Sequence, residues 1–266
     1  MIKFKQLDKL INMNLFLDFK LNLYINNIYK YNMSKLKVLP LNIPEEKKTK
    51  KINPIMPSIP GVLMIVAPPR CGKTVLCSNI LLRDEMLGNA FDEVYIYSPS
   101  IFNCKSSKYL RDNFNCSDQY SDASLQSILD KQLQYEKDGN LKDRPSICIF
   151  FDDAVNIIKK NSLITSLCSR YRHFGIDQII ISIQSYKGIP PMIRANLSTL
   201  ILMAPNNNTK QLKLIDEELD VFNGYDNFKK LFDEATNNQE RYNFMMIKLD
   251  YSPVEVYNNF EKKISG

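Results

Sequence analysis

The sequence is poor in the residues that build metal centres. It holds one histidine, His173, and six cysteines, Cys71, Cys77, Cys104, Cys116, Cys148 and Cys168. No cysteine pair has zinc-ligand spacing, which argues against a zinc domain. Cys148 lies in an apolar run, as a small buried hydrophobe would. Nothing in the pattern requires disulfides, so a reducing compartment fits. A long apolar run is also missing. The most apolar early stretch, Leu10 to Tyr29, is broken by Asn12, Asn14, Asp18, Lys20, Asn22, Asn26 and Asn27. That argues against a transmembrane helix, and the stretch lacks the cleavage site of a signal peptide. A soluble protein is the expectation. There is no internal repeat.

What charge there is sits at one end. Residues 1–51 carry eleven Lys and four acidic residues, a net +7, whereas residues 52–266 carry 24 basic and 25 acidic residues, a net −1. A basic arm on a neutral core can touch nucleic acid or another polyanion, and a solvated tail is the alternative. Met33-Ser34-Lys35 has the look of a natural start, so residues 1–33 are expected to be an extension outside the functional domain. An amphipathic docking helix is the alternative. Residues 34–60, with Pro40, Pro44, Pro54, Pro57, Pro60 and a charge run over 45–51, predict an extended lead-in.

From Gly61 onward, short apolar runs alternate with helical patterns. Strands are expected over 62–66, 93–97, 147–151, 178–183, 199–203 and 242–249. Helices are expected from Lys73 and over about 124–137, 162–171, 209–219 and 228–235. Residues 98–122 suggest a polar surface loop, and residues 251–266 a tail beyond a domain spanning 61–250. Continuous β-branched runs alternating with helices predict an α/β fold with a mostly parallel sheet covered on both faces. Ligands in such sheets bind at the carboxyl ends of the strands.

Three polar constellations fall at those ends. Ala67-Pro68-Pro69-Arg70-Cys71-Gly72-Lys73-Thr74 lies between a strand and a helix and matches the phosphate-loop pattern, except that Ala67 stands at the first glycine position. Backbone N–H groups of such a loop cradle phosphates, Gly72 allows close approach, Lys73 neutralises charge and Thr74 can ligate Mg²⁺. Ala67 need only leave the strand with negative φ. A chance Gly-Lys-Thr turn is the alternative. The apolar run 147–151 ends at Asp152-Asp153, which suits Asp152 to the Mg²⁺ shell and Asp153 to activating water. Asp153 could instead cap the next helix. Gln184 ends a further strand, where its amide could bond both a γ-phosphate and the attacking water, or simply face solvent. One strand lies between the phosphate loop and the Asp pair, and another ends in a polar sensor. This arrangement points to a P-loop NTPase of the additional-strand, RecA/FtsK-like division. No Asn-Lys-x-Asp guanine-reading motif occurs, which argues against a GTPase.

The segments Ser169-Arg170-Tyr171-Arg172-His173-Phe174-Gly175-Ile176, Ile180 to Ser185 and Ile189-Pro190-Pro191-Met192-Ile193-Arg194-Ala195-Asn196 complete a pattern. Over about residues 60–205, the chain resembles the poxvirus-type DNA-packaging ATPases of large DNA viruses and virophages, within the FtsK–HerA superfamily. The resemblance implies hydrolysis of ATP with Mg²⁺, translocation of double-stranded DNA into a capsid, a homo-oligomeric ring that is often hexameric, and capsid proteins as partners. It implies a virion or viral-factory location. By motif position it gives Lys73 and Thr74 to phosphate and Mg²⁺, Asp152 and Asp153 to Mg²⁺ and water, and Gln184 to sensing. A neighbour's arginine completes each site in such rings. Arg170, Arg172 and Arg194 are candidates, with Arg194 favoured for its Pro-rich approach. His173 could hold the Arg172 loop or serve structure alone. Lys105, Lys108 and Arg111 are candidate DNA contacts. Another ring translocase or helicase, or a nucleotide-gated capsid-assembly scaffold, remain open alternatives.

Overall fold

The computed structural model describes residues 52–159, 161–205, 208–237 and 242–265. The extension over 1–33 and the lead-in up to residue 51, with the basic arm and the charge run, lie outside the described residues. The described part falls within one compact unit, residues 46–266.

Among the described residues, nine strands form one sheet: β1 (Gly61–Val66), β2 (Glu93–Tyr97), β3 (Asn115–Ser117), β4 (Ile147–Asp152), β5 (Gln178–Ile183), β6 (Thr199–Met203), β7 (Phe244–Lys248), β8 (Glu255–Asn258) and β9 (Lys262–Ser265). Their order is β3-β2-β4-β5-β1-β6-β7-β8-β9. The first six pair in parallel, and β7, β8 and β9 add antiparallel strands at one side. Every residue of β1, β4, β5 and β6 is buried. Such strands have no solvent face, which is why their sequences are continuous apolar runs rather than alternating ones. Along β1, Val62, Met64 and Val66 enter the core on one face, while Leu63, Ile65 and then Ala67 enter the core on the other.

Helices cover both faces: α1 (Lys73–Leu82), α2 (Lys108–Asn113), α3 (Asp122–Lys137), α4 (Val155–Ile158), α5 (Ser162–Arg170), α6 (Pro191–Arg194), α7 (Thr209–Leu219) and α8 (Tyr225–Thr236). Capping explains several starts. Ser121 Oγ accepts from Ser124 N–H, Asn161 Oδ1 from Ile164 N–H and Asn208 Oδ1 from Gln211 N–H, opening α3, α5 and α7. Among the described residues, no helix is long and apolar enough to cross a membrane.

Two expectations change. Residues 98–122 are not a bare loop, since they hold α2 and the edge strand β3. Ile101 and Leu110 are fully buried there, and the Arg111 guanidinium donates to the backbone carbonyls of Ile101 and Cys104. Two isolated anchors in a polar stretch leave no periodic signal. Residues 251–266 are not a tail either: β8 and β9 extend the sheet beyond residue 250, with Val256 and Tyr257 buried. Asn259, at φ 51°, makes the turn between them. The lead-in also docks before Gly61. Met56 is buried among the residues on the α1 face, and the buried Lys248 ammonium donates to Pro54 O at 2.8 Å.

Candidate active site

The phosphate loop leaves the sheet without strain at its first position. Ala67 N–H donates to Ile183 O at 3.0 Å, so Ala67 still extends β1 and is fully buried. Positive φ appears later, at Arg70 (64°) and Gly72 (90°). The glycine missing at 67 is therefore not required, whereas the one at 72 is. A Cβ on Gly72 would lie 2.2 Å from Cδ1 of Tyr242. Gly72 is also the N-cap of α1. It offers no side-chain cap, and the first turn of α1 holds no acidic residue. The first N–H groups of α1 and its positive dipole end are left facing the loop, where an anion would satisfy them.

The sheet order then assembles the rest. β5 sits between β1 and β4, so the end of β5 stands between the phosphate loop and the Asp pair. Lys73, 7% exposed, extends its ammonium to 3.5 Å from Asp153 Oδ1. Gln184 Nε2 reaches the same oxygen at 3.5 Å. Asp153 takes φ 48°, and its N–H donates to Ser182 O at 3.0 Å. This backbone turn aims the carboxylate at Lys73 and away from the following helix. The N-cap of α4 is Ala154, without a side-chain bond, so Asp153 does not serve as the cap. Thr74 follows Lys73 in the first turn of α1, where its carbonyl accepts from Ser78 Oγ at 2.8 Å.

Asp152 is the buried member of the pair, at 2% exposure. Ser182 Oγ donates to its Oδ1 at 2.8 Å and Ser98 Oγ to its Oδ2 at 3.1 Å. Burial pushes its pKa above the usual carboxylate value. The Ser182 hydrogen bond opposes that rise, the Asp153 charge adds to it, and Ser98 and Lys73 oppose it. Cys77 of α1 is buried close to this cluster, and desolvation holds its thiol well above its ordinary pKa, so it stays neutral. The arrangement fits a polyphosphate with a divalent cation: a glycine cradle, an uncapped helix end and a buried ammonium for the phosphates, and an acceptor-only carboxylate held by two hydroxyls for the cation.

The arginines lie elsewhere. Arg194 is tied inside its own chain: Nη1 is 2.6 Å from Glu218 Oε1, the side chain is 9% exposed, and the guanidinium lies 5.0 Å from the centre of the Tyr186 ring. This geometry weighs against its expected role, because a guanidinium held in this way would have to leave Glu218 to reach a neighbour. Arg170, Arg172 and His173 are exposed, the first at the end of α5 and the other two in the turn after it. That turn precedes β5, at the end of the strands opposite the phosphate loop, where Tyr171 Oη donates to Pro60 O at 3.4 Å. Of the proposed DNA contacts, Lys105 and Lys108 are exposed, beside the exposed rings of Phe102 and Tyr109, whereas Arg111 is engaged with its own loop. Motif reading missed Ser98, Ser182 and Tyr242. Serine in or after a strand carries no signal until the strand order places it under a carboxylate.

Comparison with known proteins adds the fold. No family model and no curated protein sequence matches the chain. Among solved structures, the DNA-packaging ATPase B204 of Sulfolobus turreted icosahedral virus matches with a TM-score of 0.54 at 14% identity, over 74% of this chain and 96% of that one. The genome-packaging NTPase B204 of Sulfolobus turreted icosahedral virus 2, solved with ATP-γS, matches with a TM-score of 0.54 at 14% identity over the same shares. The chain shares the fold of B204. A P-loop ATPase fold with a mostly parallel sheet is thus established, and it is the fold that the motif resemblance implies.

Proposed function

We propose that this chain is an ATP-hydrolysing motor that moves double-stranded DNA into a viral capsid. The convergence of Lys73, Asp153 and Gln184 over the uncapped start of α1, in a fold shared with B204, carries the reading. Lys73 and the N–H groups of 72–75 bind the phosphates of ATP. Thr74 and Asp152 would hold Mg²⁺, which would neutralise phosphate charge when bound. Asp153 accepts a proton from the attacking water, and Gln184 orients that water. Ser98 and Ser182 keep the Asp152 carboxylate in place.

Three loop-and-edge features support a homo-oligomeric ring. Among the described residues, no arginine outside the phosphate loop contacts the site, Arg170 and Arg172 are exposed at the end of the sheet where β1 and β5 begin, and the site lies at the end where those strands finish. We assign the trans-acting role to Arg170 or Arg172 of a neighbouring copy in place of Arg194. A hexamer is the expected ring size. DNA contact falls to the 98–117 segment, whose Lys105 and Lys108 can meet phosphates while Phe102 and Tyr109 pack beside them. That segment leaves the site itself, since Ser98 binds Asp152. Capsid proteins are the further partners, in a virion or viral factory.

The test is ATP hydrolysis with and without duplex DNA, together with the solution mass with and without nucleotide. DNA stimulation that is lost in Lys73→Ala supports the motor. Equal slow hydrolysis by wild type and Lys73→Ala under both conditions refutes it.

A further inference from the structure

A bulky aromatic ring rests on the glycine of the phosphate loop. Tyr242 is held at φ 76°, a left-handed backbone that aromatic residues rarely adopt, and its ring is packed against Gly72. The site of a Gly72 Cβ would be 2.2 Å from Cδ1 and 2.5 Å from Cε1 of the ring. Yet Tyr242 remains 46% exposed. One edge of the phenol is thus seated on the loop, and the rest is open. Strained backbone of this kind concentrates at ligand clamps.

The position of the ring relative to the hydrolytic cluster is informative. Asp152, Asp153 and Gln184 end β4 and β5, which lie on one side of β1; β6 and β7 lie on the other. A nucleotide whose terminal phosphate meets Asp153 and Gln184 must run its nucleoside the opposite way, across the end of β1 toward β6 and β7. Tyr242 stands two residues before β7. Its contact with Gly72, the N-cap of α1, puts the ring on the α1 face, where Phe244 and Met246 of β7 pack in one cluster with Leu76, Cys77 and Ile80.

We propose that Tyr242 is the stacking platform for the base of the bound nucleoside triphosphate. The exposed part of the ring presents a flat apolar surface, and every nucleobase has a π-face to lay on it. Stacking of this kind adds affinity without reading base identity, in keeping with a chain that has no guanine-reading motif. The inference rests on the nucleotide reading of the loop, and the test separates the two.

Binding of ATP and of inorganic tripolyphosphate is measured by equilibrium dialysis for wild type, Lys73→Ala, Tyr242→Phe, Tyr242→Leu and Tyr242→Ala. Thermal unfolding checks each variant. The leucine keeps bulk against Gly72 without a flat face. Tyr242→Phe should match wild type for both ligands. Tyr242→Leu and Tyr242→Ala should bind ATP about 5- to 100-fold more weakly while retaining tripolyphosphate affinity. Equal losses for both ligands would make the ring a prop for the loop and overturn the platform, as would unchanged ATP binding. A gain in ATP affinity in Tyr242→Ala would place the ring in the nucleotide's own space and overturn it too. If wild type binds neither ligand, or Lys73→Ala binds both as well as wild type, the nucleotide reading fails and the platform falls with it.

Discussion

At the scale of single residues, Asp152 and Asp153 are neighbours in sequence with opposite environments. Asp152 is sealed beneath two serine hydroxyls, whereas the Asp153 side chain is 37% exposed and faces Lys73. Burial raises the Asp152 pKa above its unfolded value. Between the two values the folded state binds more protons than the unfolded one, so stability falls as pH rises through that window. Above the folded pKa the cost is complete. Asp152→Asn removes it. In metal-free buffer near neutral pH the variant should unfold at a higher temperature than wild type, and the difference should vanish below about pH 4, near the unfolded carboxylate pKa. The same variant should lose Mg²⁺-dependent hydrolysis. A lower unfolding temperature at neutral pH would show that the serine bonds outweigh desolvation.

Arg194 illustrates a second residue-scale point. Its Pro-rich approach suggested a positioned side chain, and it is positioned, but by Glu218 and Tyr186 of its own chain. Arg194→Ala should therefore cost about 1.5–3 kcal/mol of stability, the range for a hydrogen bond to a charged group, and leave hydrolysis per folded molecule nearly intact. The exposed turn behaves oppositely. Loss of the proposed trans-acting arginine, in Arg170→Ala or Arg172→Ala, should leave unfolding temperature unchanged and lower hydrolysis about 10³-fold with ATP binding retained. Thermal melts beside single-turnover hydrolysis separate the two outcomes.

At the scale of elements, the sheet edge matters most. β8 and β9 cover β7, and Val256 and Tyr257 are buried between them and the core. A chain ending at residue 250 would expose the backbone edge of β7 together with its apolar face. Such edges recruit other chains. The shortened protein should melt at a lower temperature and aggregate at concentrations where the full chain stays dispersed, as light scattering would show. The 98–117 segment is the other element that local pattern did not announce. β3 is three residues long and polar, and it exists because β2 offers an unpaired parallel edge. Its order depends on Leu110 and on Arg111 bonding two carbonyls, contacts that are made only once the chain has folded back.

For the whole molecule, charge predicts the form of DNA binding. Under the proposed function, contacts through Lys105, Lys108 and the basic arm would be to phosphates. DNA-stimulated hydrolysis should decline steeply between 50 and 200 mM salt, independent of duplex sequence, because counterion release dominates such binding. Stimulation that persists at high salt or follows sequence would point to base contacts instead.

Much of this protein was legible before folding, for a physical reason. Strands buried on both faces must be continuous apolar runs, so β1, β4, β5 and β6 appear in the sequence much as they stand in the sheet. Phosphate binding needs a glycine at Gly72 and a lysine after it, and polar groups at strand ends sit where a parallel sheet gathers its ligands. Those are local requirements, set by backbone geometry and by alternation within a few residues. Other features depend on which distant segments become neighbours. The insertion of β5 between β1 and β4 brings Gln184 and Ser182 to the Asp pair. The turn at Asp153 aims its carboxylate at Lys73 and not at a helix. Glu218 claims Arg194, and a tyrosine 170 positions away in sequence settles onto Gly72. Residue spacing carries no record of strand order or of long-range polar partners, so the sequence alone determined the parts of the site, and the tertiary structure decided which of them meet.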